Sequence, residues 1–141
     1  MSKDEDFKIS HVKLGVEGLD KQHKKILKDI SNILTSSSEE DVLFLKKIQE
    51  LKKIMFKHYE TEEKFMKDNS YTEHDAHKSE HNKLKKLIEE LETETANGNI
   101  SLCRRYELLE ILLKGLLLQI HRYDKQMIDF LYHKYEDKFF S

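Results

Sequence analysis

The sequence predicts an all-α protein, an antiparallel up-down-up-down four-helix bundle with an irregular N-terminal arm. Three observations predict it. Proline is absent from the 141 residues and glycine occurs only 4 times, so little in the chain interrupts a helix. Leu, Lys and Glu, all good helix formers, are abundant between the turn signals. Apolar residues recur at helical spacing in four segments, and the stretches between them are short enough to favour antiparallel neighbours.

The segment through Val16 shows no sustained helical period and is read as the arm. The first helix is expected over about 19–34, with Leu19, His23, Ile26, Leu27, Ile30 and Leu34 on one side. TSSSEED ends it and offers Ser38 as an N-cap for the second helix. That helix, about 39–67, carries Phe44, Ile48, Leu51, Met55, His58, Glu62 and Phe65 in its stripe. KDNSYTE breaks the period before a third helix, about 72–94, whose stripe is Leu84, Leu87, Ile88 and Leu91. TANGNIS is a turn built on Asn and Gly. The fourth helix, about 101–134, is centred on Leu109, Leu112, Leu116, Tyr123, Met127 and Phe130. Neither an internal repeat nor a linker divides 1–141, which reads as one domain able to bury about two thirds of its extended-chain surface.

Composition excludes several classes of function. Lys+Arg 25 against Asp+Glu 27 gives a net charge of -2, and the charges are mixed along the chain, so no phosphate-binding stripe forms and no nucleic-acid partner is expected. The single cysteine, Cys103, cannot build an internal disulfide and fits a reducing compartment. The opening MSKDEDFKIS lacks a secretory core, and the longest apolar run falls short of the ~20 residues that span a bilayer. A soluble cytoplasmic protein with no membrane partner is the expectation. Leu117, Leu118 and Ile128 fall off the core side of the fourth helix, which points to self-association as a homo-oligomer.

The eight histidines are the anomaly in the composition. On a wheel of about 100° per residue, His58 and Glu62 fall inside the apolar stripe of the second helix, while Glu60 and Glu63 point outward. A carboxylate in a bundle interior is costly unless it is paired or bound to metal. His23 repeats the pattern near the centre of the first stripe. In HDAHKSEH the third stripe is centred nearest His77, with His81 next and His74 at the rim. In the fourth helix Gln119 points inward and Asp124 lies at the flank. His121 is almost outward, and a π-bulge or local shift would be needed to turn it in. Imidazoles and carboxylates without thiolate suit Fe, Mn or Zn, and two carboxylates spread among four helices suggest two bridged metals.

The chain resembles the hemerythrins, specifically the single-domain bacterial kind, from LGVEGLDKQH through HRYDKQMIDF. Gly15, Asp20, Gln22 and His23 match one motif; HYETEEKFM, with His58 and Glu62, matches a second; Tyr71, His77 and His81 match a third. The resemblance implies one iron on His23 and His58 and another on His77 and His81. Glu62 and Asp124 would bridge them, an oxo or hydroxo group would complete the bridge, and O2 would bind at an open position. The chain departs from the pattern in the last motif. QIHRYD places Gln119, the atypical ligand position, where a histidine is usual five residues before Asp124, and Gly115 stands where a tryptophan is common. The iron of His77 and His81 is thus expected to lack its third imidazole, with His74 and His121 as reserve candidates. Gln119 could coordinate through its oxygen, orient a water or leave the position open. The leading expectation is a diiron O2-binding protein for storage, delivery or sensing. The alternatives are a diiron peroxidase, oxidase or iron store, and a non-catalytic helical assembly protein with a partial metal site.

Overall fold

A computed structural model describes residues 17–35, 40–98 and 100–140 of the chain. The expected arm, including Gly15, and the expected cap Ser38 lie outside the described residues. Helix α1 runs Glu17–Thr35, α2 Asp41–Asp68, α3 His74–Ala96 and α4 Leu102–Leu118. A π-helical segment, Gln119–Asp124, joins α4 directly to α5, Lys125–Phe140, so the last three pieces form one long fourth helix. Each helix packs on its neighbours in sequence, and α1 closes the bundle against α4. No helix among the described residues is long and apolar enough to cross a membrane.

Local chemistry explains the turns. Asn69 donates its side-chain amide to the Phe65 carbonyl at 2.8 Å, closing the end of α2. Ser70 follows at φ 54, a left-handed conformation that stops the helix. Gly98 takes φ 79 after α3, where a residue without Cβ is favoured. Ser101 caps α4 by accepting the Arg104 backbone N–H at 3.1 Å.

The core is split in two. The larger apolar cluster fills most of the bundle, with Ile26, Ile30, Phe44, Ile48, Ile88 and Leu109 fully buried in it. The smaller one, Met66, Tyr71, Met127, Ile128 and Leu131, lies toward the other end. His23, His58, Glu62, His77, His81 and Asp124 are all buried. They lie between the two clusters, with Tyr59 of the larger one among them, so a polar layer is flanked by hydrocarbon on both sides.

The fourth helix was expected to be uninterrupted, and it is not. In an α-helix, residues five apart lie about 140° from each other around the axis. The π segment, in which Lys125 N–H reaches back to the Ile120 carbonyl, widens the turn and brings Gln119 and Asp124 to the same side. Both are buried, and Asp124 is not at the flank. The shifted register also buries Ile128, which was expected off the core side, while Leu118 stays 55% exposed. In α2 the wheel misplaced Phe65, which is 47% exposed; Tyr59 and Met66 are buried instead.

Truncation should separate the two sides of α4. Leu109→Ala, in the core, should cost about 2–5 kcal/mol, and Leu118→Ala less than about 0.5 kcal/mol. Urea unfolding midpoints of the two variants measure the difference.

Candidate metal centre

Each helix contributes to the polar layer through its own spacing. His58 and Glu62 stand one turn apart on α2, and His77 and His81 one turn apart on α3. α1 adds His23 and the π segment adds Asp124. Two groups result: His23, His58, Glu62 and Asp124, and Glu62, His77, His81 and Asp124. Within each, one donor atom per residue lies within 4.8 Å of the others. The imidazoles pair accordingly. The rings of His23 and His58 meet edge-on at 4.7 Å, and those of His77 and His81 at 4.6 Å.

The carboxylates divide their oxygens between the two groups. Glu62 Oε1 faces His58 Nε2 and, at 3.7 Å, His23 Nε2. Glu62 Oε2 faces His77 Nε2 at 3.4 Å and His81 Nε2 at 3.8 Å. Asp124 Oδ2 approaches His23 Nε2 at 2.9 Å, and Oδ1 approaches His77 Nε2 at 2.7 Å. Though close, the four Nε2 atoms and both Glu62 oxygens are buried without an aligned hydrogen bond among the described residues. Convergent buried acceptors of this kind repel one another unless protons or cations stand between them. Imidazole and carboxylate donors without thiolate fit Fe, Mn or Zn.

One histidine of each pair is anchored from behind. Gln22 Oε1 lies 2.6 Å from His58 Nδ1, which must donate to it, leaving the Nε2 lone pair directed inward. Glu63 Oε2 lies 3.4 Å from His81 Nδ1 and acts the same way. Glu63 was expected to point outward; its side chain is 16% exposed and is held between His81 and the Lys78 and Lys85 ammonium groups.

Gln119 is buried beside this layer with both ends of its amide engaged. Its Nε2 donates to the Glu80 carbonyl at 2.6 Å, and its Oε1 accepts from the Tyr59 hydroxyl at 3.0 Å. Tyr59 in turn stacks on His81, with centroids 4.0 Å apart and planes at 18°. Sequence reasoning passed over Tyr59, although its place three residues before Glu62 and four after Met55 puts it on the same face. Gly115 leaves room for the tip of Leu84 from α3: a Cβ there would stand 2.6 Å from Leu84 Cδ2. The reserve histidines stay apart from both groups. His121 is exposed, the π segment having turned Asp124 rather than His121 inward. His74 is half-buried, with a shielded Nε2, and joins neither group.

A cleft of about 430 Å³ lined by α1, α2 and α5 reaches the layer at Glu62. Its lining includes Leu19, Phe65, Met127 and Leu131, with Gln22 and Glu62 as its polar members nearest the layer.

Comparison with known proteins agrees with this chemistry. The family described as Hemerythrin HHE cation binding domain matches residues 14–131. Myohemerythrin from Theromyzon tessulatum is similar at 26% identity over 103 residues, covering 73% of this chain and 78% of that protein. No solved structure gives a significant match.

Without metal, protons take the space between the acceptors. Burial disfavours a charged His23, but the adjacent carboxylates of Asp124 and Glu62 outweigh it and raise its pKa from 6.5 to about 9. His77 is raised to about 9 by the same balance. Burial would likewise raise Glu62, yet His58, with His23 and His77, holds its carboxyl well below the usual range. The two histidines therefore contribute stability fully below pH 6.5 and lose it as pH climbs through about 9. Glu62 contributes above the ordinary carboxylate range and loses its contribution on acidification. The urea midpoint of chelator-treated protein should fall between pH 6.5 and 9; a midpoint that rises over that interval contradicts the assignment.

Proposed function

The chain belongs to the hemerythrin HHE cation-binding domain family, and from that premise we propose that it is a non-haem diiron protein that binds O2 for storage, delivery or sensing. The observation that carries the reading is the division of the two carboxylates: Glu62 turns one oxygen toward His23 and His58 and the other toward His77 and His81, and Asp124 turns one toward His23 and the other toward His77. Carboxylates shared in this way suit a pair of ions that they bridge. His23 and His58 would hold one iron, and His77 and His81 the other, with an oxo or hydroxo group completing the bridge. Bound iron would supply the electrons and the open coordination position that O2 requires.

The surrounding residues support that task. Gln22 and Glu63 hold His58 and His81 in the tautomer that presents Nε2. The apolar clusters above and below the layer limit water and proton access. The cleft lined by Leu19, Phe65, Met127 and Leu131 offers a small apolar gas a route toward Glu62. A second reading, turnover of hydrogen peroxide, draws on Gln119, whose engaged amide occupies a position where an imidazole would give a further ligand.

Metal analysis should find about two irons per chain, and O2 added to the reduced protein should produce an absorption band that disappears on deoxygenation. Oxidation that does not reverse excludes carriage. Peroxide turnover no faster than that of free iron excludes the second reading. Glu62→Ala should release both irons, whereas His81→Ala should lower the content to about one.

A further inference from the structure

The two groups are matched donor for donor. Each has two imidazoles, one oxygen of Glu62 and one oxygen of Asp124. Each has one histidine anchored from behind, His58 by Gln22 and His81 by Glu63. In each, the other histidine, His23 or His77, takes its closest carboxylate oxygen from Asp124. A donor that belonged to one group alone would break this match, and Gln119 is the residue in position to do so.

Gln119 is not available. Its Nε2 must donate, and the Glu80 carbonyl, an acceptor only, is its partner at 2.6 Å. That fixes the orientation of the amide. Oε1 then faces the Tyr59 hydroxyl, which donates to it at 3.0 Å. Turning the amide to offer Oε1 elsewhere would orphan a buried phenol proton and a buried amide together, and each unpaired buried group is costly. Tyr59 is itself held in place by the stack on His81, so its proton stays directed at Gln119. His74 and His121 stand outside both groups.

We propose that the His77/His81 ion carries an exchangeable coordination position of its own, matching the one on the His23/His58 ion, so that the pair takes two small monodentate anions rather than one. The proposal rests on the diiron reading and deepens it. Two imidazoles and shared carboxylates leave an octahedral ion with open positions, and the Tyr59–Gln119–Glu80 chain keeps the nearest amide from filling the one on this side. Gln119 is thus a positioning residue, acting through Tyr59 on the face of His81.

Azide is the probe. Calorimetric titration of the oxidised, iron-loaded full chain should give about two azides per pair of irons. Gln119→His should reduce that to about one at unchanged iron content, by supplying the imidazole. Gln119→Leu, which cannot coordinate, should keep about two, and it decides the matter with the wild type if the histidine variant does not load. A wild type that binds about one azide, unaltered in Q119H, overturns the proposal while leaving the diiron reading intact. A gain of azide in Q119L over the wild type overturns it by making Gln119 a ligand. A tyrosinate-to-iron absorption band in the wild type, lost in Tyr59→Phe, overturns it by placing the phenol in the position. An iron content well below two per chain overturns the diiron reading itself.

Discussion

Two carboxylates are buried in the interior of a four-helix bundle, and the rest of the arrangement answers to them. Glu62 and Asp124 are 1% and 2% exposed. An unpaired carboxylate at such a depth costs several kcal/mol, enough to consume much of the stability of a domain this size. Four imidazoles converge on the pair from three helices. They are poor partners as neutral rings, since their inward Nε2 atoms are acceptors when Nδ1 holds the proton. Positive charge is needed at the centre, whether as protons on His23 and His77 or as cations. The raised pKa of those two histidines and the cation-binding chemistry are therefore two expressions of one electrostatic demand.

The backbone adapts to meet that demand at one place. α1, α2 and α3 deliver their ligand candidates by ordinary helical spacing, one residue alone or two residues one turn apart. The fourth helix must bury Gln119 and Asp124 five residues apart, which an α-helix does not do. A short run of wider turns solves the geometry and then returns to α, at the cost of less favourable hydrogen bonding through Gln119–Asp124. The same shift carries Ile128 onto the core side, where it joins Met127 and Leu131 in the second apolar cluster.

Much of this was legible in the sequence because period and polarity were both informative. Four stripes gave four helices, and His23, His58, Glu62, His77 and His81 stood out as polar residues in apolar places. The π segment was not legible. Wheel arithmetic assumes a constant turn, so it put Asp124 at the flank and Ile128 outside, and it offered His121 a rescue that the widened turn gives to Asp124 instead. Tyr59 was missed for a different reason. A buried tyrosine beside a histidine reads as core, and its value here lies in a partner 60 residues away, a relation that local spacing does not contain. Glu63 was placed outward for a similar reason, since its role depends on His81 and on lysines of another helix.

Glutamine at position 119 brings demands of its own. A buried amide brings a donor and an acceptor that both need partners. The Glu80 carbonyl answers the first and the Tyr59 hydroxyl the second. One turn away on α4, Gly115 leaves room for the tip of the Leu84 side chain from α3. With the Tyr59 hydroxyl and the Glu80 carbonyl, Gln119 forms a polar clasp on the His81 side of the layer, which commits the amide to structural work.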